Sequence, residues 1–406
     1  MPERLSKPEF IALMAMMFAT IAFSLDAMLP ALPEIAEELS PDVPNRAQLI
    51  LTSFVLGMGI GTMFTGPLSD AFGRRRVIFG GVALYILGAA IAVVAPSLEM
   101  MVAARILQGI GAAGPRIVAI AIIRDLYGGR TMAQLMSFVM MVFTLIPAFA
   151  PTLGAGLIWA FGWRAIFIAF MIFGVFAVLW LALRQRETLD PAHRRPFKAA
   201  VLWAGIVEVL SHPMVSRSVL VQTLIFGMLF TTLSVTQPIF DVTFGEGDRF
   251  HLWFGGIALV SASASLVNAK IVMRLGMERV VTGTLAIQIV ISSVMLAATL
   301  LPTPDGLFFW LYVFWTTSLF STAGLTIGNV NAMAMEPMAH LAGMSASIIG
   351  SVATVGAVLI AVPVGLSFDG TPLWPALGVV ICACLAFGIM RQLADHVGPS
   401  AEEQET

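Results

Sequence analysis

Three charged side chains lie inside long uncharged runs of this 406-residue sequence: Asp26, Arg105 and Arg116. A charge at the centre of an apolar helix costs about 2.5–3.5 kcal/mol on insertion scales, so one that is kept is a functional candidate by default. Asp26 is a carboxylate near the end of the first apolar run, and Arg105 lies about five residues into the fourth. The balance between desolvation and a nearby arginine sets how tightly a carboxylate holds a proton. Asp26 beside Arg105 is therefore read as a proton-loading pair, against the plainer alternative of a static ion pair locking two helices. Arg116 follows Arg105 by eleven residues, about 16 Å along a helix, which puts it near mid-span. It could hold a polar or anionic group, or merely snorkel or bond a backbone carbonyl. Gln108, Gln237 and Asn268 are the uncharged polar candidates for the same cavity.

A second group of residues is contiguous: Gly66-Pro67-Leu68-Ser69-Asp70-Ala71-Phe72-Gly73-Arg74-Arg75-Arg76. Gly66 and Pro67 are expected to end a helix, and Gly73 to permit a tight turn. The arginines are expected to pin that turn to one membrane face. Asp70 is the unusual member, an acid beside three cations. The acids Glu34, Glu37, Glu38 and Asp42 read instead as a solvated loop without chemistry.

Several chemistries find no support. The two cysteines, Cys382 and Cys384, are two apart in one apolar run and would diverge on a helix, so neither a disulfide nor a metal pair is expected. Five scattered histidines make a zinc site improbable. No G-x-x-x-x-G-K-[ST] phosphate loop occurs, and no convergent nucleophile–base cluster marks an enzyme. A net charge of −2 gives no reason to expect a nucleic-acid partner.

The elements that position these residues follow from composition. The chain is 58% hydrophobic and 11% charged, where a soluble domain carries roughly 25% charged residues. Such a chain cannot cover a water-facing surface, so the bilayer must be its solvent. A bilayer core needs about 20 helical residues. Runs of that kind predict spans at 10–29, 48–68, 77–94, 100–123, 133–156 and 163–183, then at 219–240, 252–275, 280–301, 307–330, 343–366 and 373–390. The domain reading is a six-helix half over 1–183, a linker over 184–217, and a second half with a short acidic tail over 218–406. Within the linker, 197–210 has the spacing of a short helix on the membrane surface. The start of the chain reads as a retained first span, since no A-x-A cleavage site follows it.

Loop charges set the orientation. With both termini cytoplasmic, seventeen of the 22 arginines and lysines fall on the cytoplasmic side and three outside, as the positive-inside rule requires. The cytoplasmic set includes Arg4, Arg74, Arg124, Arg195 and Arg279. Trp159, Trp163, Trp253, Trp310 and Trp374 fall near predicted outer helix ends, where amphipathic rings prefer to sit. An internal echo supports duplication: Gly73, Arg76, Val77 and Gly80 recur at Gly276, Arg279, Val280 and Gly283, an offset of 203 at the same inter-span turn.

The Gly66–Arg76 segment resembles the G-x-L-x-D-x-x-G-R-[RK] signature of the major facilitator superfamily. Arg105-x-x-Gln108-Gly109-x-Gly111 resembles the fourth-span motif of its proton-linked drug exporters. Ala150-Pro151-Thr152-Leu153-Gly154-Ala155 resembles their fifth-span G-P-x-x-G-G, with Ala150 and Ala155 in place of glycines. Asp26-Ala27-Met28-Leu29-Pro30-Ala31-Leu32-Pro33, Ile123-Arg124-Asp125-Leu126-Tyr127 and Phe161–Phe167 are similar to Bcr/CflA-type multidrug exporters. The second half resembles them more thinly, at Ser265–Asn268 and Arg274–Met277.

This resemblance implies an all-α major facilitator fold of two pseudo-symmetric six-helix bundles with twelve membrane spans. It implies drug/H+ antiport by alternating access in a bacterial inner membrane, by a monomer that needs no cofactor beyond the proton gradient. Small neutral, zwitterionic or anionic compounds suit the charge balance, with uptake or facilitated diffusion as the alternative. The resemblance further implies a conformational gate of Gly66, Asp70, Gly73, Arg74, Asp125 and Gly343, with Arg74 pairing Asp125 and Asp70 facing the helix start at Gly343. Ala150, Pro151 and Gly154 are left as a helix-packing surface.

Overall fold

A computed structural model describes residues 5–194 and 196–396; Arg4, Arg195 and the acidic tail lie outside the described residues. Among those residues the chain forms fourteen α-helices and no strand. They are α1 (Lys7–Asp26), α2 (Leu32–Leu39), α3 (Leu49–Phe72), α4 (Arg74–Val93), α5 (Leu98–Leu126), α6 (Gly129–Phe161) and α7 (Arg164–Arg184). The remainder are α8 (Ala199–Ser211), α9 (Pro213–Pro238), α10 (Phe250–Leu275), α11 (Met277–Leu300), α12 (Asp305–Met335), α13 (Ala342–Leu366) and α14 (Leu373–His396). Eleven of them are long and apolar enough to cross a membrane. Helix α12 is also long enough, at 31 residues, and covers the predicted tenth span; its run of Thr316, Thr317, Ser318, Ser321 and Thr322 lowers its hydropathy.

The chain divides into two compact units, Met1–Leu202 with Phe240–Leu259, and Trp203–Ile239 with Val260–Thr406. In the first unit, α5 packs against both α3 and α4, while α1 lies on α6. The first two contacts are close because glycines meet backbone. A Cβ added at Gly109 would stand 2.1 Å from the Phe54 carbonyl oxygen, and one added at Gly111 would stand 2.4 Å from that of Gly81. Without side chains at these points, helix backbones approach as closely as sterics allow. A buried apolar cluster fills the rest of the unit, including Phe10, Met14, Phe18, Ile78, Val118, Ile122 and Leu181. In the second unit α9 packs on α12, α13 and α14.

Three expectations need correction. Gly66 and Pro67 do not end the second span. Helix α3 runs through them to Phe72, with Pro67 inside it; a membrane helix tolerates the lost amide because its surroundings re-satisfy the freed carbonyl. The true stop is Gly73, at φ +98°, a backbone state that a Cβ disfavours. Gly276 holds the matching place between α10 and α11 at φ +79°, so the echoed glycines make the same kind of turn.

The acidic stretch is a solvated loop only at Asp42, which is exposed in a turn. Glu34, Glu37 and Glu38 lie on α2, whose Leu32, Ile35 and Ala36 are buried. Glu38 accepts bonds from Arg164 Nη1 (2.9 Å) and Nη2 (2.6 Å) and from Trp163 Nε1 (2.9 Å). Trp163, in turn, is buried rather than an interfacial anchor. The acid on the short helix α2 meets the cation at the start of α7, which explains both differences. By contrast Trp159, Trp310 and Trp374 are exposed as expected, and Cys382 is buried while Cys384 is exposed.

Candidate functional site

Residues Arg105, Gln108 and Arg116 all lie on α5. Eleven residues make three turns plus about 20°, so Arg105 and Arg116 share one helix face. The glycine contacts bring α3 and α4 against α5, and these helices with α1 surround the Arg105 guanidinium completely. Its Nε donates to the Ile50 carbonyl (3.2 Å), Nη1 to Gln108 Oε1 (2.7 Å) and Nη2 to the Ser24 carbonyl (3.0 Å). The plane stacks on Phe54, 4.3 Å from its ring centroid, with Phe167 at 5.8 Å. Ser24 extends the node: its Oγ donates to the Thr20 carbonyl (2.6 Å) and shares a 2.7 Å hydrogen bond with the buried Tyr85 hydroxyl. A rigid fork suits this set of acceptors spread over α1, α3 and α5.

Asp26 ends α1 two residues beyond Ser24 and is buried. It forms no ion pair with Arg105, and no hydrogen bond or ion pair of its carboxylate occurs among the described residues. Helix α6 approaches closely here, for a Cβ added at Gly154 would stand 2.0 Å from the Ala27 carbonyl oxygen. Ala150 and Pro151, one turn earlier, are also buried. Asp26 thus sits at a junction of helix backbones. Arg116 is only partly buried, and nothing among the described residues bonds it; its Nε is shielded and unpartnered.

At the other end of the same unit, Arg74 is almost fully buried at 3% exposure. Its Nε donates to Asp125 Oδ2 (2.9 Å), Nη2 to Asp125 Oδ1 (3.4 Å) and Nη1 to Ser69 Oγ (2.8 Å) and Asp70 Oδ1 (2.5 Å). The Arg74–Asp125 pair that the resemblance implied is therefore formed. Because α3 continues past Gly66, Asp70 lies in its last turn, four residues before Arg74, and the two pair directly. Gly66 lies one turn before Asp70 on α3.

Sequence reasoning missed Glu187. This linker carboxylate accepts the backbone amides of Arg74 (2.9 Å) and Arg75 (3.1 Å), the first two of α4, and those of Thr188 and Leu189. A carboxylate on a helix N-terminus satisfies orphan amides and complements the dipole. Thr188 adds a bond from its hydroxyl to Asp125 (2.9 Å). No spacing rule signals a partner 113 residues away.

In the second unit Asn268 accepts from Asn329 Nδ2 (2.9 Å), joining α10 to α12. Gln237 is buried near the end of α9, and Gly343 lies in the first turn of α13. A node missed from sequence surrounds Gln288. Its Oε1 accepts from Ser318 and Thr322, its Nε2 donates to Ser292, and Trp315 Nε1 donates to Ser292 as well. The set is neutral, unlike the arginine node of the first unit.

The profile of the Major Facilitator Superfamily matches residues 12–361. The chain belongs to this superfamily. It is 28% identical to a bicyclomycin resistance protein homolog of Haemophilus influenzae, over 93% of this chain and 95% of that one. It is 27% identical to the multidrug resistance protein MdtL of Escherichia coli O157:H7, over 89% of this chain and 88% of that one. The xylose transporter XylE of E. coli, in a partially occluded inward open conformation, superposes with a TM-score of 0.71 at 13% identity, over 95% of this chain and 97% of that one. The all-α major facilitator fold implied by the motifs is thus the fold of this chain, and its long apolar helices make it a multi-pass membrane protein. As a Major Facilitator Superfamily member it is a transporter of small molecules rather than an enzyme.

Proposed function

We propose that this transporter exports small neutral, zwitterionic or anionic compounds across a bacterial inner membrane in exchange for protons. It acts as a monomer with both termini cytoplasmic, and the proton gradient is its only energy source. The resistance proteins among its relatives support the export reading. The observation that carries proton coupling is the contrast between two buried groups. Arg105 has committed its donors to carbonyls and Gln108, while Asp26, two residues from one of those carbonyls, has no partner among the described residues.

A buried acid without a fixed counter-ion can change protonation without breaking an ion pair, which suits a carrier that must both load and release. In this reading the Arg105 node holds α1 in place around Asp26, and the Asp70–Arg74–Asp125 cluster braces one transport state. Moving one charge inward contributes about 2.3 kcal/mol per 100 mV to uphill export.

Asp26→Asn tests the assignment. In everted vesicles or proteoliposomes the variant should lose transport driven by a pH gradient while binding substrate measurably. Undiminished uphill transport by this variant would refute the proton role. Transport in the opposite vectorial sense would refute export.

A further inference from the structure

Two arginines share one face of α5 three turns apart, and the protein treats them oppositely. Arg105 is fully buried, with bonds to Ile50, Gln108 and Ser24 and aromatic rings beside its plane. It has little left to offer a ligand. Arg116 lies about 16 Å deeper in the same span. It is partly accessible, its Nε is shielded from solvent without a partner, and no carboxylate, carbonyl or ring engages it among the described residues. Asp26 is near the far end of the span, on the Arg105 side. The Asp70 and Asp125 carboxylates are bound to Arg74.

A guanidinium within a span, with part of it shielded and no protein acceptor, bears a desolvation cost that a bound group could offset. The protein has the means to neutralise such a group, as it does at Arg74, and does not use them here.

From this we infer that Arg116 is an anion subsite, which binds a carboxylate of the transported compound through its guanidinium. The inference rests on the transport reading above and narrows its substrate class to compounds bearing a carboxylate. A planar fork pairs with a carboxylate through two parallel N–H···O bonds, whereas an ammonium offers only a point charge. Lysine is therefore a partial substitute and glutamine a poor one.

The experiment compares binding of two probes, nalidixate as an aromatic carboxylate and chloramphenicol as an uncharged compound. Purified protein in nanodiscs is titrated with each, for the wild type, Arg116→Gln and Arg116→Lys. Nalidixate should bind the wild type and lose about ten- to a hundredfold in affinity with glutamine, the range for a charge-assisted bond. Lysine should recover part of that loss. Chloramphenicol affinity should change less than about twofold across all three proteins, and it serves as the check that each variant is folded.

If nalidixate fails to bind the wild type, or binds wild type and Arg116→Gln alike, the subsite is overturned. An equal loss of both probes in Arg116→Gln also overturns it, because the residue would then be structural. The export reading is tested separately: it fails if wild-type proteoliposomes move neither probe against a gradient, whatever the binding results.

Discussion

Gly109→Ala places one methyl group where the structure has no room for it. The added Cβ would lie 2.1 Å from the Phe54 carbonyl oxygen, 2.8 Å from the Met58 amide nitrogen and 3.0 Å from the Phe54 carbonyl carbon. These are backbone atoms of α3 and cannot rotate away. Ordinary contact begins at about 3.5 Å, so α3 and α5 must part by more than about 1 Å. Overpacking of this kind costs about 1–3 kcal/mol. The same displacement carries Ile50 away from Arg105 Nε, a bond already 3.2 Å long, at a further cost of about 1.5–3 kcal/mol. Alanine returns about 1 kcal/mol as a better helix former.

A net loss of about 1.5–5 kcal/mol follows, equivalent to an apparent Tm lower by about 3–15 °C. Gly114→Ala, five residues further along α5 on the side that meets α4, is the control. Its nearest neighbour would be the Gly81 Cα at 3.4 Å, so only the propensity gain remains. Scanning fluorimetry of the purified proteins should rank Gly109→Ala well below wild type and Gly114→Ala at or slightly above it. Equal melting of the two variants would show that the α3–α5 seam does not hold the Arg105 node.

Arg74→Lys removes a fork that reaches Asp125, Ser69 and Asp70 from a buried position; it should cost about 2–4 kcal/mol and lower transport, and wild-type melting with wild-type flux would count against the cluster as a brace. Gly73→Ala strains a backbone at φ +98° by about 1–2 kcal/mol and presses its Cβ to 2.8 Å from Glu187 Oε2. A double-mutant cycle with Glu187→Gln should therefore show coupling of at least about 0.5 kcal/mol, whereas additivity within about 0.3 kcal/mol would sever the link.

The spans were legible because a helix in lipid must be long and uncharged, and that requirement is written locally. Every predicted span overlaps an observed long helix, and the short helix expected at 197–210 is α8, Ala199–Ser211. Charge partners were legible only where a motif placed them, as for Arg74 with Asp125. Glu38 with Arg164 and Glu187 with the α4 amides join positions far apart in the chain. Only the packing of α2, α7 and the linker brings them together. Pro67 misled for a related reason. A breaker rule drawn from water overestimates the cost of a missing amide inside a bundle. The depths of Asp26 and Arg105 suggested a shared cavity, yet depth along two helices does not say where a guanidinium points. Here it points to backbone.

The linker has one more use. Its beginning is fastened to the first unit by Glu187 and Thr188. In the second unit Val209 of α8 is buried in an apolar cluster, and Gly205 packs on Met344. Between these moorings Asp190, Pro191, Ala192 and His193 are exposed, the kind of segment where nicking and insertion are tolerated. A cleavage site or reporter inserted there leaves both moorings untouched. The gene could accordingly be divided at this point and its two products expressed from separate plasmids, so that each half is labelled, titrated or mutated alone.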